Sequence, residues 1–451
     1  MNNILDLLWS LLSLSFGDYL RRTFGSGPGM ELFIDILSVV ALSTFCLLIV
    51  IFLIWLERKL IARMQDRIGP NRVGGRYGLL QTVADVLKLL SKEVINPAGV
   101  DWVPFNLAPL LTVIAALLVW AVIPFAPGVI GVDLNIGVFY IMAISSLSVV
   151  VLLLAGWGSN NKYALLGAFR AVAQMVSYEV PMLLALLVPV ILARTMSTKG
   201  IIDAQAIPFL LYAPLSALIF YISALAETGR TPFDLLEAES EIVAGFHIEY
   251  SGMKFGMFFL AEFLGYLFMS ALFVTLYLGG YRFFGLENWV SAGGYPFGRL
   301  FGLIFFFTKT FILYFVFVWV RGTLPRIRVD QLLDYNWKFL VPLSLVLIFL
   351  VAIVDKLIPE GTGQFMRMAI HLAVNLGLGF ATLEALRRYG QRNKTTANSG
   401  AASPPSAGHG DHAPAGHGPA GHVPSGHGEP VQTDHGDMPL GGREPITVPI
   451  H

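Results

Sequence analysis

Nine runs of apolar residues, joined by short polar or basic connections, set the plan of this chain. A helix needs about 20 such residues to cross the hydrocarbon of a bilayer. Ile36 to Leu56, Val103 to Phe125, Asn135 to Trp157 and Ala204 to Ala226 are the clearest. Tyr163 to Ala193 also carries Arg170 and Glu179, Met257 to Leu278 is interrupted only by Glu262, and Leu300 to Val320 only by Lys309. Phe339 to Val354 and Met368 to Thr382 are shorter. The pattern predicts an all-α polytopic membrane protein of about nine transmembrane helices. Trp55, Trp102, Trp157 and Trp319 mark the ends of runs, where amphipathic rings favour the interface.

Two further stretches are amphipathic and predict helices lying in the interface. The first 25 residues lack a basic leader and a small-residue cleavage site, and Arg21 and Arg22 come after their apolar part, so residues 1–30 read as an interfacial segment. Between Leu79 and Val94, Leu79, Leu80, Val83, Val86, Leu87, Leu90 and Val94 form one face, and Gln81, Asp85, Lys88 and Lys92 the other. That segment is either a basic loop over lipid headgroups or a membrane-plane helix framing an entrance for a lipid-soluble ligand. Residues 31–390 form the membrane domain. From about Gln391 the composition turns to Gly, Pro, Ala, Ser and His, which cannot bury a core, so residues 391–451 are expected to be a disordered tail. Its seven histidines are irregularly spaced and no metal is assigned to them.

Charge fixes the expected orientation. With the N-terminus outside, 20 of the 30 Lys and Arg residues fall on the cytoplasmic side, which gives N-out, C-in by the positive-inside rule. Bulk composition agrees with a membrane chain: 55% of residues are hydrophobic, 13% are charged, and the mean hydropathy is +0.68. The net charge of zero argues against nucleic acid as a partner. The single cysteine, Cys46, can neither form an internal disulfide nor ligate an iron–sulfur cluster alone.

Against that background the acids carry the functional signal, because a carboxylate in or beside hydrocarbon is costly and is kept mainly where ions or protons pass. Glu227, Asp234, Glu237, Glu239, Glu241 and Glu249 fall within 23 residues, with Arg230 as the one permanent cation among them. Thr231 is placed to cap a helix beginning at Pro232, on which Asp234, Glu237 and Glu241 would share a face. Two carboxylates about 6.5 Å apart repel by roughly 2.5 kcal/mol at an effective dielectric of about 20. Such a set, if sheltered, titrates as one coupled proton store; the alternative is a solvated acidic loop. Glu179 and Glu262 extend the theme into the apolar runs, and Pro181 beside Glu179 opens the helical ladder and could admit water. Lys309 is either a partner in this path or a structural counter-ion to one acid.

At these same segments the chain resembles a known family. LERKLIARMQDRIGPNRVG leads into YGLLQTVADVLKLLSKE, and GWGSNNKYALLGAFRAVAQMVSYEVP opens the fourth run. ETGRTPFDLLEAESEIVAGFHIEYSGMKFGMFFLAE covers the acidic loop, and WVRGTLPRIRVDQLLDYNWKFLVP closes the set. Over about Leu56 to Pro342 the sequence is similar to the H subunit of bacterial NADH:quinone oxidoreductase (respiratory complex I), the homologue of mitochondrial ND subunit one. The resemblance implies a family core of eight helices, so Met368 to Thr382 would be an added ninth, and the His-rich tail lies outside the family pattern.

It further implies a subunit that joins the hydrophilic arm to the antiporter-like membrane arm in a bacterial inner membrane and walls a quinone chamber. Quinone would be the substrate, with FMN and iron–sulfur clusters on partner subunits. By motif match, Glu57, Arg58, Asp85, Arg321 and Arg326 would border the chamber, with Pro325 shaping the last of these loops. Glu179, Glu227, Asp234, Glu237, Glu239, Glu241, Glu249 and Glu262 would form the proton-coupling chain, with Arg170, Arg230 and Lys309 as charge partners. No catalytic residue is implied on this chain. Rival readings are a stand-alone cation transporter, for which the expected paired broken repeats are not seen, a purely structural anchor, and a subunit of a related membrane hydrogenase.

Overall fold

The computed structural model describes residues 21, 23, 27–234, 245–283, 295–359, 361 and 363–401. The chain divides into two units, Met1–Arg388 and Tyr389–His451. Of the second, the described residues 389–401 are helical. Residues 391–401 of the expected tail are among them, and residues 391–399 contain no Gly or Pro. Residues 402–451, including the seven tail histidines, and residues 1–20 of the N-terminal segment lie outside the described residues.

The first unit is built from helices. They are α1 (Pro28–Met64), α2 (Gln81–Ser91), α3 (Trp102–Leu118), α4 (Gly137–Gly158), α5 (Lys162–Ala193), α6 (Thr198–Ala204) and α7 (Pro214–Glu227). After the acidic loop follow α8 (Gly252–Tyr277), α9 (Tyr295–Thr323), α10 (Val329–Tyr335), α11 (Val341–Leu357) and α12 (Gln364–Ala401). Among the described residues there is no β-strand, only an isolated Ala126–Val129 bridge. Eight helical spans are long and apolar enough to cross a membrane, and α7 is a shorter apolar helix. The run Ala204 to Ala226 is thus not one helix. It is divided into the end of α6, a turn at Phe209–Tyr212, and α7, because Pro208 and Pro214 each interrupt the backbone ladder. The short run Phe339 to Val354, by contrast, belongs to a longer span, Val329–Leu357, in which a π-helical turn at Asn336–Leu340 joins α10 to α11.

Local signals explain most ends. Pro28 starts α1, and Glu31 in its first turn is gripped by Arg21 at 3.0 and 2.9 Å. The Asn161 side chain accepts from the Tyr163 N–H at 2.9 Å to cap α5, and Arg194, at φ 56°, ends it in the left-handed region. α2 turns Thr82 and Leu89 toward the chain and leaves Val83, Leu87 and Leu90 exposed, a face available to lipid or a partner. α8 is the most enclosed span, 72% buried through its apolar window, and packs against α3, α9, α1 and α7. The last span, Gln364–Arg388, is 11% buried. It is tied in by polar groups: Asp355 meets Arg367, with His371 at 3.7 Å and Arg194 at 3.8 Å, and Asn375 donates to the Tyr212 carbonyl at 3.2 Å.

Prolines inside helices govern the packing. Each removes a backbone N–H and so orphans the carbonyl four residues earlier, which cannot be left bare in a water-free core. Pro109 in α3 frees the Phe105 carbonyl, which accepts from the Tyr250 hydroxyl at 3.2 Å. Pro181 in α5 frees the Ser177 carbonyl, which accepts from Asn336 Nδ2 at 2.6 Å, on the π turn. Pro189 frees the Ala185 carbonyl, which accepts from Tyr277 at 2.9 Å and Ser216 at 3.0 Å. α5 therefore stays helical through both prolines, and Pro181 leads to a side-chain contact at the point where an opening was expected.

Leaving a buried carbonyl unmet costs about 1–3 kcal/mol. Asn336→Ala is expected to lower the unfolding midpoint of the assembled protein. It should cost markedly less in a Pro181→Ala background, where the α5 ladder is restored; equal losses in both backgrounds would show that Asn336 does not serve this carbonyl.

Candidate functional site

Glu57 and Arg58 are adjacent near the end of α1, and the helical turn sends them to different places. Glu57 is buried, while Arg58 is exposed and ion-paired with Asp85 of α2, to which Gln81 also donates at 3.4 Å. Glu57 points into the packing of α8 and α9, where Arg321 pairs with its Oε1 and the Tyr314 hydroxyl donates to Oε2 at 3.2 Å. The fourth member arrives from the loop after α7.

That loop is folded by short-range devices. The Thr228 hydroxyl donates back to the Ala224 carbonyl at 3.0 Å, and Gly229 takes a φ of 61°, reversing the chain. Gln174, buried in α5, donates to the carbonyls of Ala226 and Phe233, both at 2.7 Å, and clamps the two ends of the turn. Arg230 is driven inward to 2% exposure. Its Nε lies 3.0 Å from Glu262 Oε1 and its Nη1 3.9 Å from Glu57 Oε1, while its guanidinium sits over the rings of Phe263 and Tyr266 at 4.7 and 5.6 Å. Two carboxylates and two guanidinium groups thus balance in a space where an uncompensated charge would be severely penalised.

Beside this network is a cavity of about 180 Å³, reached by Glu227, Thr228, His247 and Glu262 and otherwise walled mainly by aromatic and aliphatic side chains of α3, α4 and α8. Glu227 is buried at the last residue of α7, and among the described residues no donor reaches its Oε2. Glu179, half-buried on α5, acts on it electrostatically. Asp234 pairs with Arg326 at 3.2 Å, and the Ile327 N–H donates to the Pro232 carbonyl at 3.0 Å, so the start of the acidic loop is held by the segment following α9.

One expectation, a helix opening at Pro232, comes out differently. Residues 231–234 form turns, and no helix starts at Pro232; a peptide N–H here (Phe233) is directed back to the Arg230 carbonyl at 2.8 Å. Glu249 lies apart from the cavity, in an open depression of about 800 Å³ that also takes in Asp101 and Lys162; Asn161 donates to it at 2.8 Å. Its neighbour Tyr250 is stacked on Phe105 at 4.3 Å, and burial pushes its phenol above the ordinary range. Lys309 donates to the carbonyls of Leu278 (2.9 Å), Gly280 (3.0 Å) and Arg282, closing the C-terminus of α8. Arg170 is half-buried on α5. Glu237, Glu239 and Glu241 lie outside the described residues. Sequence reasoning passed over Gln174, Tyr314 and His247. Gln174 could have been found as the remaining polar residue with strong donors in an apolar run.

Comparison with known proteins gives a consistent result. A family described as NADH dehydrogenase matches residues 37–352. The NADH-quinone oxidoreductase H subunit of Dehalococcoides mccartyi (strain CBDB1) is 48% identical over 341 residues, 75% of this chain and 92% of that protein. The corresponding protein of Rickettsia canadensis (strain McKiel) is 47% identical over 325 residues, covering 71% and 93%. That of Geobacillus kaustophilus (strain HTA426) is 48% identical over 299 residues, covering 66% and 87%.

Removing one member of a buried ion pair typically costs about 3–5 kcal/mol, mostly through the charge left behind. Arg230→Met is expected to lower the thermal midpoint by that order, and adding Glu262→Gln should return part of it. Strictly additive losses in the double variant would show that the two side chains do not interact.

Proposed function

The chain belongs to the family of the NADH-quinone oxidoreductase H subunit, a membrane component of an oxidoreductase complex, and from that premise we propose that it walls the quinone chamber and couples quinone reduction to proton movement. In this reading Glu57, Arg58, Asp85, Arg321 and Arg326 border the chamber. Glu179, Glu227, Asp234 and Glu262, with Glu237, Glu239, Glu241 and Glu249, carry the proton-coupling response. The chain sits in the bacterial inner membrane, N-out and C-in, between the hydrophilic arm and the antiporter-like membrane subunits, and quinone is its substrate. FMN and the iron–sulfur clusters belong to partner subunits.

One observation carries the reading. Glu57 from the chamber set and Glu262 from the acid set share a single buried cation, Arg230. A unit charge appearing about 10 Å away is worth roughly 1.7 kcal/mol at an effective dielectric of about 20, which exceeds one pKa unit. Reduction of a quinone beside Glu57 would therefore reset the balance at Arg230 and, through Glu262, the proton affinity of the acids around the cavity. Glu227 supports the same direction: it is buried, lines that cavity and feels Glu179.

Glu227→Gln keeps the shape and removes the titrating group. In the assembled complex NADH-driven proton translocation is expected to fall on the order of a hundredfold, the lower end for loss of an acid–base group. Unchanged turnover with an unchanged ratio of protons to electrons would overturn the proposal.

A further inference from the structure

We propose that His247 is a proton relay that loads the cavity holding Glu227 and Glu262 from the protein surface. The inference rests on the coupling role given above to those two acids and adds the route by which protons reach them.

His247 ends the 3₁₀ turn Gly245–His247, is half-buried and lines the cavity. The turn is pressed against α5 because Gly167 has no side chain: a Cβ there would lie 2.7 Å from the carbonyl carbon of Gly245. The imidazole is held between the rings of Phe246 and Phe255, with centroids at 5.0 and 5.3 Å. Among the described residues, the titratable side chains lining the cavity are Glu227, Glu262 and His247. A volume of about 180 Å³ has room for several waters. Such waters need polar partners, and Glu227 is one of the lining residues, with a buried Oε2 that no donor among the described residues reaches.

Among side chains, imidazole is the one whose ordinary pKa lies near neutrality, so it exchanges protons both with bulk water and with a buried carboxylate. In the transfer, an N–H bond of the imidazolium breaks, its proton passes to a cavity water, and that water gives a proton to the Glu227 carboxylate. No electrons move, and the neutral ring is reloaded from outside. The charged groups on the elements around the ring are Lys162, Arg170 and Glu179 on α5, Glu227 on α7, and Lys254 and Glu262 on α8; α4 carries none, and Glu249 lies two residues further along the chain.

The test uses the complete complex in its membrane. His247→Gln keeps length and polarity but does not titrate. NADH-driven proton translocation is expected to fall about tenfold, less than for a directly reacting group because cavity waters remain. The limb of the pH profile near pH 6–7 should disappear, and added imidazole should restore rate and limb together. A wild-type profile, or a slowed rate that imidazole does not restore, would overturn the proposal. Gly265→Leu supplies an independent arm: a Cβ at that cavity-lining position meets no atom within 4 Å, so the side chain enters the space meant for water. It should slow translocation similarly without imidazole rescue, and it decides the matter if His247→Gln fails to assemble; unaltered translocation would overturn the relay. Should Glu227→Gln also behave as wild type, the coupling reading itself fails. Should Glu227→Gln abolish translocation while His247→Gln does not change it, only the relay fails.

Discussion

The sharing of Arg230 between Glu57 and Glu262 is the interaction on which the rest of the site depends. It brings together the end of α1, the turn after α7 and the middle of α8, three segments distant in sequence. Arg321 and Tyr314 complete the arrangement from α9. A buried ion pair is a poor source of stability, since desolvation offsets most of its attraction. Its value here is positional: the balanced charges fix where three helices meet, and they leave Glu227 facing a cavity with an oxygen that no described donor reaches.

Much of the helical plan was legible in the apolar runs, because length and hydropathy alone decide what can cross a bilayer. The runs gave the membrane class and the approximate spans, and the fused motifs gave the family. What they could not give was how a run is partitioned. Pro208 and Pro214 divide the stretch before the acidic loop, whereas Pro181 and Pro189 leave α5 whole. The difference lies in whether a partner waits for the freed carbonyl, and those partners, Asn336, Tyr277 and Ser216, are remote in sequence.

The site was half visible for a similar reason. Glu262 announces itself by interrupting an apolar run, and Arg230 by being the one permanent cation among the acids of the loop. Whether Glu57 or Arg58 faces inward is a matter of helical phase, which periodicity fixes only loosely when nearly every neighbour is hydrophobic. Lys309 illustrates the limit. An isolated cation in an apolar run invites pairing with an acid, and nothing in the run announces the open carbonyls at the end of α8 that it meets beside Gly279 and Gly280.

The proline-freed carbonyls of α5 also bear on mechanics. Ser177 is fastened to the π turn after α10, and Ala185, two helical turns further along, to α7 and α8. A rod bolted at two heights cannot slide along its axis like a piston. Glu179 lies between the two fastenings, so the stretch of backbone that carries its carboxylate is held on both sides.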